Sequence, residues 1–161
     1  MRPDLILCLG NEILSDDAFG FKIANLLKTL EGLESKVEIV FSALGGFKLI
    51  DLLKGRKRTL VVDTIYTGKS RAGTLHFFEM GQFAPAKNLT CSHQISLPTA
   101  LALGNEYGMD MPERIDVLAV EVQDAKTFSE ELTPPVAAAL DPAVEKILNW
   151  IDAENGNTIK N

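Results

Sequence analysis

Short apolar runs alternate along this chain with amphipathic segments. Asp4–Leu9, Val37–Ser42, Thr59–Ile65, Thr74–Glu79 and Arg114–Val122 are rich in aliphatic, β-branched and aromatic residues, and each is bounded by turn-forming residues, so they read as strands. Over Asp17–Glu31 the apolar residues Phe19, Ile23, Leu26, Leu27 and Leu30 fall on one helical face, with Gly32 as the stop. Ser15, Asp16 and Asp17 all suit the start of that helix. Gly45-Gly46 leads into a short helix over Phe47–Leu53, closed by Gly55. A further helix spans Ser96 to Tyr107, with Ser96 as cap and Pro98 in the first turn. The last spans Pro134–Trp150, where Val136, Leu140, Val144, Ile147, Leu148 and, just past its end, Ile151 make one apolar face. The polar loop Thr67–Gly73 is too short for a crossover helix, so the fourth strand should run antiparallel to the third. The pattern predicts a three-layer α/β/α sandwich. It forms a single domain over residues 1–154, followed by a polar tail over 155–161.

Composition narrows the class of protein. A hydrophobic fraction of 46% with 24% charged residues over 161 positions is that of a soluble globular domain. No apolar run approaches the ~20 residues of a membrane span, so membrane insertion is not expected. Met1-Arg2-Pro3-Asp4 enters a strand directly, with no signal-peptide pattern. Cys8 and Cys91 have neither metal-site nor disulfide-framework spacing, which points to a reducing, cytoplasmic setting. The net charge is −6 and the longest basic run is Arg56-Lys57-Arg58, so no nucleic-acid partner is expected.

Candidate chemistry gathers at element boundaries. In the stretch Asp4–Gly20, Gly10-Asn11 stops the apolar run, and a short loop then delivers Asp16 and Asp17 at a helix start. That is the carboxyl edge of a parallel sheet, where such folds bind ligands. A phosphate-binding loop would offer backbone amides there, and two acids would repel a pyrophosphate. Thr67-Gly68-Lys69-Ser70 contains Gly-Lys-Ser but lacks the first phosphate-loop glycine and leads into a strand. Asp63 ends the otherwise apolar third strand, and His93 lies in the loop before the helix predicted from Ser96.

If the first and third strands are neighbours, Asp17 and Asp63 face one crevice that His93 could close. This mixed oxygen and nitrogen set suits a divalent transition ion with open positions. Each member also has a plainer reading: Asp17 as a helix cap, Asp63 as an acceptor for neighbouring amides, His93 as an incidental loop residue. Asp16 reads as flanking or capping, and His76 as a structural residue on a solvent-facing edge. Cys8 reads as core. Cys91 and His93 share a face of an extended segment, but an acidic site raises a thiol pKa and disfavours a cysteine nucleophile.

The chain resembles the hydrogenase maturation endopeptidases. The residues carrying the resemblance are Gly10-Asn11 with Asp16-Asp17 and Gly20, then Asp63, Gly73-Thr74, Ser92-His93-Gln94 with Ser96-Leu97, and Leu132-Thr133-Pro134. It implies a twisted five-stranded mixed sheet between helices, phosphorylase/hydrolase-like, with the fourth strand antiparallel. It also implies an endopeptidase that removes the C-terminal extension of a [NiFe] hydrogenase large-subunit precursor after nickel insertion. The metal-contacting and catalytic positions would be Asp17, Asp63 and His93. Nickel belongs to the substrate and serves as the recognition signal, so no permanently bound cofactor is expected. Ala18 stands where many members have glycine, and Glu121–Asp124 lacks a proline common after this strand. Two other readings of the same residues are a non-proteolytic maturation chaperone and a metallohydrolase holding its own zinc.

Overall fold

The computed structural model describes residues 2–43, 45–80 and 97–153. Its strands are β1 (Asp4–Leu9), β2 (Val37–Ser42), β3 (Arg58–Ile65), β4 (Leu75–Glu79) and β5 (Arg114–Glu121). Its helices are α1 (Phe19–Lys28), α2 (Phe47–Leu53), α3 (Leu97–Glu106), α4 (Pro134–Ala137) and α5 (Leu140–Asp152). The strands form one sheet in the order β2-β1-β3-β5-β4. β1 pairs in parallel with β2 and β3, β3 with β5, and β4 lies antiparallel on β5 at the edge. The fourth strand therefore runs against the third, as its short connection requires, but its partner is β5.

Strand alternation divides the core into two layers. Ile6, Cys8, Leu60, Val62, Leu118 and Val120 meet Phe19, Ile23 and Leu27 of α1 and Ala143, Ile147 and Ile151 of α5. Their immediate neighbours Leu5, Leu7, Val61, Val117 and Ala119 point the other way, onto Leu49 and Leu53 of α2 and Leu97 and Ala100 of α3. Strands covered on both faces need no polar alternation, which is why β1, β3 and β5 read as continuous apolar runs. At the end of the sheet opposite the candidate site, Trp150 Nε1 donates to the buried Asp116 Oδ2 at 2.7 Å, and Arg58 lies 4.1 Å over the indole ring. These contacts pin α5 to the sheet.

Three local expectations change. The first helix does not begin at Asp17: Ser15–Ala18 forms a 3-10 turn and α1 starts at Phe19, with no side-chain cap from Ser15, Asp16 or Asp17. The last helix is split, with α4 ending at Ala137 and α5 starting at Leu140. Pro142 supplies the reason, because inside one continuous helix its ring would clash with the carbonyl four residues earlier, whereas the first turn of α5 tolerates it. His76 does lie on the edge strand, yet its Nε2 is buried without a hydrogen-bond partner among the described residues, so it is not a solvent-facing ring.

Gly20 sets how closely α1 packs on β1. A Cβ at this position would lie 2.3 Å from the carbonyl oxygen of Leu9. The obstacle is backbone and cannot swing aside. Gly20→Ala should therefore destabilise the fold by about 3 kcal/mol. Urea unfolding checks this, and an unchanged midpoint would contradict the packing argument.

Candidate active site

The loop from Gly10 to Ala18 is built by close approach of its own backbone. Gly10 has φ 147°, and a Cβ there would meet the Asp17 carbonyl oxygen at 2.2 Å. The neighbouring Asn11 N–H donates to that same oxygen at 3.0 Å, and Asn11 Oδ1 accepts the Ile13 N–H at 3.2 Å. The Gly-Asn pair thus folds the loop back so that Asp17 sits beside the end of β1. Ser15 adopts φ 48°, a left-handed value unusual for a residue with a side chain.

That strained turn is held by a strap, residues 123–133. Ser15 N–H donates to Ser129 O at 2.8 Å, Ser129 N–H to Ile13 O at 2.9 Å, and Asp16 N–H to Asp124 O at 2.8 Å. The carboxylate of Asp16 has no exposed surface. Its oxygens accept the N–H groups of Gln123 and Asp124, both at 2.9 Å, and the N–H and hydroxyl of Thr133, at 2.7 and 2.8 Å. Asp16 is accordingly a structural anchor. It also accounts for Thr133-Pro134: the threonine completes the anchor, and the proline opens α4.

Asp17 points elsewhere. Its Oδ1 accepts the Thr64 hydroxyl at 3.0 Å, and the Thr64 N–H in turn donates to Asp63 Oδ1 at 2.7 Å. Thr64 thus couples the two candidate carboxylates at the carboxyl ends of neighbouring strands. Asp63 is buried and Asp17 half-buried. His93 lies outside the described residues, as do Cys91, Ser92, Gln94 and the tail from 155 to 161. Among the described residues no group of three His, Cys, Asp or Glu side chains could hold a metal ion.

Thr64 has no motif of its own in the sequence. The available signal was a polar residue following Asp63 in an apolar strand. Glu121 is a further buried carboxylate at this edge, at the end of β5. It accepts the Thr67 N–H at 3.0 Å and the Thr67 hydroxyl, fixing the turn after β3. Gly73 completes the rim: its N–H donates to Glu121 O at 2.7 Å, and a Cβ there would meet the Pro135 carbonyl oxygen at 2.2 Å. Cys8 is no nucleophile. Burial pushes its thiol up to about 12, outweighing a lowering by Lys28, and the charge of Asp63 adds a smaller rise.

These close-approach glycines, the anchor and the strand-end acid coincide with the residues that carry the family resemblance. The sequence profile described as hydrogenase maturation protease matches residues 21–150. The chain belongs to the hydrogenase maturation protease family. Hydrogenase 2 maturation protease of Escherichia coli (strain K12) is 28% identical over 146 residues, which are 89% of this chain and 87% of that protein. The hydrogenase expression/formation protein HupD of Thiocapsa roseopersicina is 26% identical over 94% of this chain and 70% of its own length. Among solved structures, the hydrogenase maturating endopeptidase HybD from E. coli aligns with a TM-score of 0.75 at 23% identity, covering 96% of this chain and 94% of that one. The [NiFe] hydrogenase maturation protease HybD from Thermococcus kodakarensis aligns with a TM-score of 0.70 at 22% identity, covering 94% and 99%. At these identities the structural matches speak for the fold. The chain is a hydrogenase maturation endopeptidase of α/β fold, with a mixed sheet containing one antiparallel pair. No helix among its described residues is long and apolar enough to cross a membrane.

Two outcomes follow from the anchor. Asp16→Ala would leave Gln123, Asp124 and Thr133 donors buried without an acceptor, and should cost about 4 kcal/mol. Urea unfolding measures the loss, and faster hydrogen exchange at these three amides would locate it. The strap also carries an acid-sensitive turn. Hydrogen bonds from the Thr127 hydroxyl and amide, then from the Lys126 amide, hold Asp124 below the ordinary carboxylate value of 3.8. A lowered carboxylate value means that these bonds are fully present above that value and lost as pH falls through the lower, folded one. The amide shifts of Lys126 and Thr127 should therefore titrate with a midpoint below 3.8. A midpoint at or above 3.8 would show that the turn does not depend on the charge.

Proposed function

We propose that this endopeptidase removes the C-terminal extension of a [NiFe] hydrogenase large-subunit precursor after nickel has been inserted. Asp17, Asp63 and His93 would contact the substrate-borne metal and carry the reaction. The observation that carries this reading is the Thr64-linked pair of carboxylates at the sheet edge of a hydrogenase maturation protease. Two carboxylates held by one threonine form a preorganised, oxygen-rich pair, suited to docking on an ion whose other positions the substrate fills. The metal arrives as part of the substrate, and the enzyme retains no cofactor of its own.

The chemistry assigned to the chain is proton handling and orientation. A carboxylate at the site takes the proton of an attacking water as the scissile carbonyl is polarised by the bound ion. The proton then passes to the leaving amine, so the peptide bond breaks into a new carboxylate and a free amino terminus. Thr64 keeps Asp17 and Asp63 in one register during this exchange. The domain reading belongs to the same proposal: residues 1–154 act as one catalytic unit and 155–161 as a tail. A cytoplasmic setting fits a precursor processed during assembly.

The test compares matched nickel-loaded and nickel-free precursors, with cleavage read by mass. Only the loaded precursor should lose its C-terminal peptide. Asp17→Ala, Asp63→Ala and His93→Ala should each lower turnover at least ~10²-fold with the fold intact by circular dichroism. Cys91→Ser should retain full activity. Equal cleavage of nickel-free precursor would overturn the recognition role of the metal, and stoichiometric zinc in the purified enzyme would favour a resident metal instead.

A further inference from the structure

β2 is an open edge. Its inner side pairs with β1 over all six residues, and no strand lies on its outer side. Among the described residues, Val37–Phe41 make no backbone hydrogen bond beyond that ladder. Natural proteins blunt such edges with lysine, proline, a bulge or a very short strand, because an unpaired row of donors and acceptors templates pairing with another chain. Val37–Ser42 contains neither lysine nor proline, and its register with β1 is continuous, without a bulge. Its one charged side chain, Glu38, is held by Arg56 at 2.6 Å. An edge left unguarded in this way is suited to receiving an extended segment.

A groove of about 540 Å³ lies beside the amino-terminal half of this edge. Leu27 and Leu30, at and just past the end of α1, line it together with Val37 and Ile39 of β2. Among its charged residues Glu31, Glu34 and Glu38 outnumber Lys28. Edge and groove together are what strand addition uses: main-chain bonds along the edge give affinity, and a pocket beside it selects an alternate side chain. An apolar lining with acidic residues matches a side chain with an apolar stem and a cationic head, Lys or Arg.

The strand register shows where the edge leads. Ser42 pairs with Leu9, and Leu9 runs directly into the loop that delivers Asp17. Six extended residues span about 20 Å, so a segment laid along β2 joins the groove to the end of the sheet that carries Asp17 and Asp63. A second copy of the chain is a poorer occupant, because each copy carries a net charge of −6. We propose that β2 receives the C-terminal extension of the precursor as an added strand, with a Lys or Arg side chain of that extension in the groove. This rests on the reading of the substrate given above. The edge and groove then select the extension, and the carboxylates act on the bond beyond it.

The test uses the full chain with two probes: a synthetic peptide of the extension sequence, and the nickel-loaded precursor. Amide hydrogen exchange of β2 is followed with and without the peptide. Alternate amides over Val37–Phe41 should exchange freely in the unbound protein and slow at least tenfold when the peptide is added. In steady-state cleavage of the precursor, Glu31→Lys/Glu34→Lys should raise KM about fivefold or more, with kcat within about twofold of wild type. Glu106→Lys/Glu113→Lys makes the same change of net charge away from the groove and should leave KM unchanged. Unprotected β2 amides together with an unchanged KM in the groove variant would overturn the docking strand and leave the protease reading intact. An equal rise of KM in both charge variants would also overturn it, as an effect of net charge alone. Protection already present without peptide would overturn it too: if it grows with protein concentration, a second copy covers the edge, and if it does not, another part of the same chain does. Peptide-dependent protection without any cleavage of the loaded precursor would support the docking strand and overturn the protease reading. A wild type that neither protects β2 with peptide nor cuts the precursor would overturn both.

Discussion

A carboxylate removed from water must be met by donors or it neutralises. Asp16 satisfies that demand with groups from three residues of a distant strap: Gln123, Asp124 and Thr133. The order of cause matters. The loop after β1 cannot bury this charge until the strap after β5 is in place, because Gln123, Asp124 and Thr133 supply its donors. One side chain thereby joins the first and last thirds of the chain at the edge where the candidate chemistry lies.

Adjacent acids then take opposite roles. Consecutive residues of the 3-10 turn point in different directions, so Asp16 goes inward to the strap while Asp17 reaches Thr64. Ser15, just before them, sits at φ 48°, a conformation that costs free energy and is held by its bonds to Ser129 and Glu131. The strap thus maintains a turn that the local sequence would not adopt alone. In the proposed mechanism this rigidity has a direct use, because a pair of carboxylates offered to an incoming ion must already be in register when it arrives.

The same construction explains the family glycines in physical terms. Gly10, Gly20 and Gly73 each have a backbone carbonyl oxygen within 2.4 Å of where a Cβ would stand. They permit three close approaches: loop to turn, helix to strand, and the loop before β4 to α4. A side chain at any of them would push apart pieces that Asp16, Thr64 and Glu121 hold together.

Much of this was legible in the chain itself. The apolar runs determined which segments are strands, because residues buried on both faces must be apolar throughout, and Leu5–Leu9 and Leu60–Val62 are. The short Thr67–Gly73 connection determined that β4 reverses direction. Asp17 and Asp63 stood out because acids are costly beside a core unless they have a partner. Other features were settled by contacts between residues far apart in the chain, to which a local pattern is blind. Only tertiary structure decided that β4 pairs with β5, that Asp16 is an anchor and no helix cap, that Thr64 couples the two acids, and that Ser129 comes to lie against the loop of Ile13. Each of these depends on which backbone donors reach a given oxygen after the sheet has formed, and neither periodicity nor propensity along the chain records that.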